Sequence, residues 1–424
     1  MKFTELNINP KLIDKTREEG FEELTTIQEK CLPEILNGKD IVGQAETGSG
    51  KTVAFCIPIL NNVTRGNGIQ VLVLTPTREL CVQVMDVFKE FGKHLKIKTI
   101  SVYGGVSISN QIKNLKTADI VCGTPGRILD HLNRRTIDFR PVKFLVLDEM
   151  DKMLDMGFIR DVEKIISYVP KDRQTLMFSA TVSNDVQWIM KKHLKNPLIV
   201  KTRSQVDTTK LKQVYYEINQ QNSKFSLLVH LLKNSTPGLA IVFCGTRIES
   251  DVVAKNLKNQ GVNALAIHGG MSQHSRMTSL DALKNQKIDV LVATDVAARG
   301  LDIKNVSHVY NYDVPPTAKE YVHRIGRTAR AGENGDAITL LTERDHDNFR
   351  RVQSDDDINI EKADIPNFKR VSFFRQSANK KRSYNRSSNR SSNRSSKESS
   401  NRSSNRSSNR TSKRYYYRSS RRTN

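Results

Sequence analysis

Residues Asp40 to Leu60 read DIVGQAETGSGKTVAFCIPIL. The stretch begins with a short apolar run typical of a buried strand and continues through a glycine-rich loop. It ends in an apolar pattern typical of a helix. A strand joined to a helix by a short loop is the unit from which parallel sheets with helices on both faces are built. This stretch therefore predicts an α/β fold.

The same alternation of short apolar runs and helical patterns extends through both halves of the chain. Continuous rather than alternating hydrophobicity indicates parallel strands that are covered on both faces. We expect two tandem doubly wound parallel-sheet domains, whose ligands bind beyond the carboxyl ends of the strands. The runs begin at Asp40, Val71, Thr99, Asp119, Phe144 and Thr175 in the first half and at Ala240, Asn263, Asp289, Val306 and Asp336 in the second.

A polar stretch and a repeat divide the chain further. The polar stretch KTRSQVDTTK, from Lys201, separates the two alternating halves and suits a linker. We place one domain at residues 1–203 and the other at 204–355. Residues 356–424 are predicted to be a disordered, low-complexity tail, because the four-residue NRSS-type repeat from Asn385 to Ser412 has no large apolar side chain to bury.

Charge and cysteine usage limit the class of protein. The chain has 424 residues and a net charge of +23, and the segment from Arg370 to Asn424 alone carries 17 Lys/Arg and one acidic residue. A tail with this much positive charge indicates RNA, DNA or an acidic membrane surface as partner, and the alternative is a solubilising role. Five scattered cysteines, never in a C-x-x-C pair, favour buried free thiols. Without an apolar leader or a run near roughly 20 apolar residues, we expect a cytoplasmic protein, with a nuclear or nucleolar location as the alternative.

The loop AETGSGKT, Ala45 to Thr52, has the composition and the strand–loop–helix setting of a phosphate-binding loop. In that pattern backbone N–H groups at the start of the helix point at phosphate oxygens, Lys51 meets the phosphates and Thr52 meets Mg²⁺. Ala45 stands where the pattern has its first glycine, so the alternative is a chance glycine-rich turn. The residues assigned to the nucleotide on this basis are Thr47, Gly48, Ser49, Gly50, Lys51 and Thr52.

A second signal is FLVLDEMD, in which four apolar residues lead to the adjacent carboxylates Asp148 and Glu149. Like charges repel at an ordinary strand end, and a bound metal ion removes that conflict. We expect Asp148 to hold Mg²⁺ and Glu149 to orient and deprotonate an attacking water. A solvated acidic turn is the alternative.

These motifs, with several others, resemble those of the DEAD-box RNA helicases. AETGSGKT, DEMD, SAT at Ser179–Thr181 and HRIGRTAR at His323–Arg330 are similar to motifs I, II, III and VI of the family, and GFEELTTIQ at Gly20–Gln28 is similar to its Q motif. The resemblance covers roughly residues 1–355, in the family's order and spacing. The segments similar to its RNA-contacting motifs are PTREL (Pro76–Leu80), GG (Gly104–Gly105), TPGR (Thr124–Arg127), HGGMSQHSR (His268–Arg276) and ATDVAARGLD (Ala293–Asp302).

The resemblance implies two RecA-like domains that bind ATP and Mg²⁺ between them. It gives adenine recognition to Gln28 and Phe21 and a ribose contact to Asp302. Arg327 and Arg330 become arginine fingers that reach the phosphates when the domains close, and a solvated basic face is their alternative. The implied catalytic residues are Lys51, Asp148, Glu149, Arg327 and Arg330. The residues implied to couple nucleotide state to closure are Ser179, Thr181 and His323. For the hydroxyls of Ser179 and Thr181, the alternative is that they only cap a turn.

The resemblance also implies an RNA surface made of small residues, backbone amides and cations, which suits contacts to phosphates without sequence preference. The implied partner is single-stranded RNA or a short duplex, bound by a monomer that also meets protein cofactors and no membrane. The RNA-binding residues carried over are Arg78, Gly105, Thr124, Arg127, Thr246, Arg276 and Thr294.

Two departures and two alternatives accompany this interpretation. The acidic motif reads DEMD, so Met150 must find room where the family has alanine, and Ala329 replaces the commoner glycine. The expected activity is local separation of RNA duplexes or remodelling of RNA–protein complexes, coupled to ATP hydrolysis. An ATP-gated RNA clamp and a DNA helicase would share most of these motifs.

Overall fold

The computed structural model describes residues 1–45, 48–202, 211–236, 238–298, 303, 306–329 and 334–375. These residues form two sheets of seven strands each, which confirms the predicted α/β class with two doubly wound domains. We call residues 1–202 the N-terminal domain and residues 211–375 the C-terminal domain. Of the predicted linker at residues 201–210, Lys201 belongs to a strand, whereas residues 203–210 and the chain from residue 376 onward lie outside the described residues.

The N-terminal sheet consists of β1 (Ile41–Gln44), β2 (Val71–Leu74), β3 (Thr99–Val102), β4 (Ile120–Gly123), β5 (Phe144–Leu147), β6 (Gln174–Ser179) and β7 (Leu198–Lys201). Their order across the sheet is β3-β4-β2-β5-β6-β1-β7, and every neighbouring pair is parallel. Parallel neighbours need crossovers, which the intervening helices provide.

The C-terminal sheet consists of β8 (Leu211–Glu217), β9 (Leu239–Phe243), β10 (Ala264–Ile267), β11 (Val290–Ala293), β12 (Val306–Asn311), β13 (Gly335–Leu341) and β14 (Glu361–Lys362). Their order is β10-β11-β9-β12-β13-β8-β14, again all parallel. Each strand occupies the place of the strand numbered seven lower in the other sheet. The two domains therefore repeat one topology.

Fifteen α-helices are present among the described residues. In the N-terminal domain they are α1 (Pro10–Glu18), α2 (Thr26–Leu36), α3 (Lys51–Asn62), α4 (Arg78–Gly92), α5 (Ile108–Leu115), α6 (Pro125–Asn133), α7 (Met150–Asp155), α8 (Ile159–Ile166) and α9 (Asn184–His193). In the C-terminal domain they are α10 (Gln221–Asn234), α11 (Arg247–Asn259), α12 (Gln273–Lys284), α13 (Asp295–Ala298), α14 (Ala318–Ile325) and α15 (His346–Gln353).

Side-chain hydroxyls determine where several of these helices begin. Each hydroxyl accepts a hydrogen bond from the backbone N–H three residues further on, which would otherwise lack a partner in the first turn. The capping residues are Thr77 for α4, Ser183 for α9, Thr246 for α11, Ser272 for α12 and Thr317 for α14.

The strands of each sheet are covered on both faces, as their continuous hydrophobicity predicts. In β2, Val71 and Val73 belong to the core on one face, whereas Leu72 and Leu74 belong to the core on the other, and all four are fully buried. This is the alternation that a strand imposes on successive side chains. All five cysteines are buried free thiols, as predicted.

The motifs meet at the carboxyl ends of the N-terminal strands. Gln44, the last residue of β1, pairs with Ser179, the last residue of β6, and β5 lies on the other side of β6. The phosphate-binding loop, the SAT motif and the acidic pair thus follow three adjacent strands. That is the edge at which open α/β sheets bind their ligands.

The chain remains ordered beyond residue 355, where the sequence pattern predicts the tail to begin. Strand β14 adds to the edge of the C-terminal sheet beside β8, and Ala363 N donates to Tyr215 O at 2.9 Å. Residues 363–375, here called the C-terminal strap, then pack Phe368, Val371 and Phe373 against the core under α10. The predicted start of the tail at residue 356 is therefore too early, because three spaced apolar side chains suffice to hold this segment.

Candidate functional site

The phosphate-binding loop has the backbone that its glycines predict. Gly48 and Gly50 have φ values of 86° and 92°, in the left-handed region that glycine adopts without strain. A Cβ on Gly50 would also lie 2.6 Å from Gln28 Nε2. Lys51 is the first residue of α3, and its buried Nζ donates to Ala45 O at 2.7 Å, back across the loop. Thr52 follows it in the first turn, and Thr47 lies outside the described residues.

The Q-motif residues brace this loop. Thr25 Oγ1 donates to Ser49 O at 2.9 Å, and Gln28 Nε2 donates to Gly50 O at 3.2 Å. Gln28 Oε1 accepts from Thr25 N at 2.9 Å, so both ends of the amide are engaged within the domain. The ring of Phe21 is 37 % exposed and stacks on Phe91 with 6.1 Å between centroids. Adenine recognition by Gln28 and Phe21 stays a prediction, and the observed role of Gln28 is to position the loop.

The acidic pair is buried and incompletely bonded. Asp148 and Glu149 are 2 % and 3 % exposed, and within the described part of the chain Asp148 Oδ1 and Glu149 Oε2 have no hydrogen-bond partner. Burial raises the pKa of Asp148 to about 6, with Lys51 acting against this and Glu149 adding to it. Lys152 Nζ contacts the other oxygen of Glu149 at 2.6 Å. Two orphaned, buried carboxylate oxygens fit a divalent cation, and they exclude the solvated acidic turn.

Met150 and Asp151 complete the acidic motif in different ways. Met150 is fully buried in the core under α7, so the room that its side chain needs is present. Asp151 binds the SAT motif: Oδ2 accepts from Thr181 N at 3.1 Å and from Thr181 Oγ1 at 3.2 Å. Ser179 Oγ accepts from Asp151 N at 3.2 Å and donates to Thr181 O at 2.7 Å. The two hydroxyls are thus tied to the acidic motif.

Motif VI of the C-terminal domain faces this acidic motif. The pKa of His323 is lowered to about 4, first by burial and then by the cations Lys152 and Arg327, while Asp151 opposes them. Lys152 and Asp151 belong to the N-terminal domain, so His323 lies across the cleft from DEMD. Arg327 is 4 % exposed, which rules out a solvated basic face for it. Arg330 and Asp302 lie outside the described residues.

Arg324 has a structural role that the sequence did not suggest. Its guanidinium contacts both oxygens of Asp295 at 2.5 and 2.7 Å and donates to Asn311 Oδ1 at 3.1 Å and Asp313 O at 2.6 Å. It also lies over the ring of Phe243, 5.0 Å from its centroid. Arg324 is 2 % exposed and fully engaged, so it fixes α14 to the strand ends of its own domain.

In the N-terminal domain, the residues assigned to RNA lie in two pairs. Gly104 and Gly105 lie against the guanidinium of Arg78, and a Cβ on Gly105 would lie 2.3 Å from Arg78 Nη1. Thr124 precedes α6, and Arg127 Nη1 in that helix donates to Val106 O at 3.2 Å and Gln111 Oε1 at 3.0 Å. The close approach of the glycines to Arg78 and the hydrogen bonds of Arg127 restrict where each guanidinium can point.

In the C-terminal domain, the corresponding residues are capping groups and a cation that is already paired. Thr246 caps α11, and Thr294 O accepts from the N–H groups of Ala297 and Ala298. Arg276 Nη2 instead contacts Glu79 Oε2 of the N-terminal domain at 3.0 Å, and Gln273 Nε2 donates to Glu79 Oε1 at 3.1 Å. Glu79 is 2 % exposed. It lies within PTREL, but its partners are about 200 residues away, so the sequence offered no sign of this junction.

Comparison with known proteins identifies the class of the chain. Residues 25–189 match the DEAD/DEAH box helicase family model, and residues 223–332 match the helicase conserved C-terminal domain. The chain is 44 % identical over 355 residues to "ATP-dependent RNA helicase CshA" of Limosilactobacillus reuteri, covering 83 % of this chain and 71 % of that one. It is 46 % identical over 354 residues to the protein of the same name from Listeria monocytogenes, covering 83 % and 68 %.

Solved structures agree with this class. "S. cerevisiae Dbp5 bound to RNA and ADP BeF3" is similar with a TM-score of 0.77 and 32 % identity, covering 85 % of this chain and 95 % of that one. A DEAD box protein from Methanococcus jannaschii is similar with a TM-score of 0.53 and 42 % identity, covering 86 % and 99 %. The chain belongs to the DEAD-box helicase family and is an ATP-dependent RNA helicase, an enzyme that binds nucleotide and RNA. Among the described residues, no helix is long and apolar enough to cross a membrane.

Proposed function

We propose that this helicase hydrolyses ATP with Mg²⁺ in the cleft between its domains and uses domain closure to separate RNA strands locally, without sequence preference. The observation that carries the proposal is the buried acidic pair, Asp148 and Glu149, each with an oxygen that lacks a hydrogen-bond partner among the described residues. Such atoms are costly unless a ligand completes them. When bound, Mg²⁺ held by Asp148 and Thr52 would neutralise charge on the phosphate oxygens.

The side chains of the cleft divide the remaining work. When nucleotide binds, Lys51 Nζ exchanges its hydrogen bond to Ala45 O for contacts with the phosphates. Glu149 orients the attacking water and accepts its proton, while the Lys152 ammonium at 2.6 Å holds the carboxylate in place. Arg327, buried opposite DEMD, stabilises the charge that develops on the transferred phosphoryl group, and Arg330 is proposed for the same role by resemblance.

Closure is supported by contacts that already join the domains. Glu79 meets Arg276 and Gln273, and Lys319 Nζ contacts Asp155 Oδ2 at 2.9 Å. Ligands shift the domains toward closure only to the extent that they bind the closed arrangement better. ATP between DEMD and motif VI, and RNA across both sets of RNA-binding residues, would each do so. Release of phosphate would then reopen the cleft.

The test is a Glu149→Gln variant. We expect kcat for RNA-stimulated ATP hydrolysis to fall roughly 10²–10⁴-fold, the range for loss of a general base, while ATP and RNA binding persist. Asp172→Asn, which changes an exposed carboxylate at the other end of the sheet, serves as the control. An unchanged kcat in Glu149→Gln would contradict the assignment. Multiple-turnover separation of a short RNA duplex distinguishes strand separation from an ATP-gated clamp.

We also propose that the chain acts as a monomer in the cytoplasm, alone or with protein cofactors. One chain supplies both sides of the cleft, so the chemistry requires no second copy. Sedimentation of the full-length chain with and without RNA tests the oligomeric state, and imaging of a fluorescently tagged chain tests the location.

A further inference from the structure

The C-terminal strap is built into the C-terminal domain by specific contacts. The ring of Phe373 packs on Phe225 with 4.7 Å between centroids, and Val371 N donates to Ser226 Oγ at 3.0 Å. At Phe374, the side chain of Asn256 binds both backbone groups: Oδ1 accepts from Phe374 N at 2.9 Å and Nδ2 donates to Phe374 O at 3.1 Å. Asn256 is 2 % exposed, so a buried amide fixes the backbone of Phe374.

This fixed backbone presents the ring of Phe374 to solvent. The ring is 65 % exposed, whereas its neighbour Phe373 packs against the core, as expected when successive side chains of an extended segment point to opposite sides. Single exposed apolar residues are common on protein surfaces and need no explanation alone. Here, however, the strap holds the ring outward with hydrogen bonds at both backbone groups.

Exposed cations and apolar side chains lie on the strap and on α11, against which it packs. The Arg375 side chain is 60 % exposed, with its Nη2 3.8 Å from Glu249 Oε1 and its guanidinium 5.8 Å from the centroid of the Phe373 ring. Glu249 lies in the first turn of α11, where its N–H donates to Thr246 Oγ1. Arg247 and Ile248 in the same turn are exposed, Ile248 by 73 %. Two cations, Arg247 and Arg375, and two apolar side chains, Ile248 and Phe374, are therefore exposed on α11 and on the end of the strap.

We infer that Phe374, with Arg375, is an RNA contact of the C-terminal domain that lies outside the helicase motifs, Phe374 stacking on a base and Arg375 meeting a phosphate. This inference rests on the proposed RNA path through Thr246. From Thr246 to Asn256 is ten residues of helix, roughly 15 Å at 1.5 Å per residue, a distance that a few nucleotides of single-stranded RNA can span. Bases stack on aromatic rings without regard to sequence, which suits a helicase without sequence preference.

RNA is the occupant that the charges favour. The exposed charged residues on α11 up to Asn256 and at the end of the strap are the cations Arg247, Lys255 and Arg375 and the acid Asp251, and the chain that follows, residues 376–424, carries 15 Lys/Arg and one acidic residue. A polyanion that reaches Arg375 therefore meets further cations beyond it. A protein partner with an apolar anchor is the other occupant that the test below can reveal.

The experiment measures binding of a fluorescent single-stranded 20-nucleotide RNA to the full-length chain and its Phe374→Ala variant. Base stacking is worth about 1–3 kcal/mol per base, so we expect Kd to rise about 5- to 150-fold in Phe374→Ala and to recover in Phe374→Trp. Tyr168→Ala removes another exposed aromatic ring, which precedes β6 in the N-terminal domain, and should leave Kd unchanged.

An RNA of abasic nucleotides isolates the stacking. The wild-type chain and Phe374→Ala should bind this backbone equally, because it offers phosphates and no base. Arg375→Gln should instead reduce the salt dependence of binding on both RNAs by about 0.7 in the slope of log K against log salt, the value for one single-strand phosphate contact.

Three outcomes would overturn the inference: an unchanged Kd in Phe374→Ala, an equal loss on abasic RNA, or no rescue by Phe374→Trp. The first outcome would leave a protein partner as the reason for the exposed ring. The strap, α10 and α11 all belong to one domain, so the effect should be the same with and without ATP. Failure of the proposed function would appear elsewhere, as a wild-type chain whose ATPase does not respond to RNA.

Discussion

Asp151 and Thr181 are joined twice, since Asp151 Oδ2 accepts from both the backbone N and the Oγ1 of Thr181. Asp151 lies two residues after Glu149, and Thr181 lies two residues after the end of β6. A shift of the acidic pair when phosphate leaves would therefore move the segment that leads into α9. We propose that the pair transmits nucleotide state, which is the role that the resemblance implies for the SAT motif.

Thr181→Val removes one of these two hydrogen bonds without changing the size of the side chain. We expect ATP hydrolysis to stay within about threefold of wild type while duplex separation falls about tenfold, because a hydrogen bond to a charged group is worth about 1.5–3 kcal/mol. Comparing steady-state ATPase with duplex separation under the same conditions measures the effect. Thr117→Val, at an exposed hydroxyl, is the control. Equal losses in both activities would favour a structural capping role instead.

Glu79 and Arg276 form one of the ion pairs that cross between the domains. Glu79→Gln leaves the guanidinium of Arg276 facing a neutral amide, and removing one member of a buried pair is strongly destabilising. Because Arg276 is partly accessible, at 12 % side-chain exposure, we expect a smaller effect, a 10- to 100-fold weaker tendency to close. Fluorescence energy transfer between labels on the two domains, with RNA and a non-hydrolysable ATP analogue, reports closure.

The charge-swapped double variant, Glu79→Arg with Arg276→Glu, separates two roles for Arg276. If the pair acts only in closure, the swap should restore both the transfer signal and RNA affinity. If Arg276 also contacts RNA, as the resemblance implies, closure should return and RNA affinity should remain low. A swap that restores neither would show that the pair is not what joins the domains.

The central strands and the motifs that follow them could be predicted because they are coded locally. Runs such as VLVL at β2 are buried on both faces, and the acidic pair and the glycine-rich loop follow strands directly. Strand β14 consists of Glu361 and Lys362, both exposed, so no hydrophobic pattern marks it. Its place comes from pairing with β8, a tertiary contact that no local pattern encodes.

The features of the site that the sequence did not predict depend on residues that are distant in the chain. Arg324 reads as one more cation of a basic motif until Asp295 and Asp313 surround it. Ala329, expected to add only a methyl group, has a φ of 52°, which explains why glycine is commoner there. Its conformation depends on the close approach of β13, where a Cβ on Gly335 would lie 2.6 Å from Ala329 N.

Met150 gives a direct test of the departure from the DEAD sequence. Met150→Ala restores the commoner alanine but leaves a cavity in a core packed around methionine, so we expect the free energy of unfolding to fall by about 2–5 kcal/mol. ATP hydrolysis should stay within a few-fold, because Asp148 and Glu149 are unchanged. Thermal melting and ATPase assays give the two values, and Met156→Ala, at a half-buried methionine that follows the same helix, is the control. A folded variant with little ATPase would show that Met150 supports catalysis.

His323 predicts a loss of stability in acid. Its pKa is lowered from the ordinary 6.5 to about 4, first by burial and then by Lys152 and Arg327. The folded chain therefore binds this proton less readily than the unfolded chain, so the contribution is fully present above pH 6.5 and is lost as pH falls toward 4. Between pH 7 and pH 5 the loss is about 2 kcal/mol. Denaturant unfolding at both pH values should show that wild type loses this much more stability than His323→Gln. The other histidines titrate in both proteins, so their contribution cancels in the comparison. Parallel curves for the two proteins would contradict the assigned pKa.

The cationic tail predicts a salt dependence that deletion should remove. Residues 376–424 carry 15 Lys/Arg and one acidic residue, and each cation that neutralises a phosphate adds about 0.7 to the slope of log K against log salt for single-stranded RNA. A chain ending at Arg375 retains the strap and both domains, so it should keep RNA-stimulated ATPase activity. Its RNA affinity should be lower and its slope flatter, by about 4 if roughly six cations contact phosphates. Replacing the tail arginines with glutamine at constant length separates charge from chain length. A merely solubilising tail would instead leave the slope of the shortened chain equal to that of the full one, and only its solubility would fall.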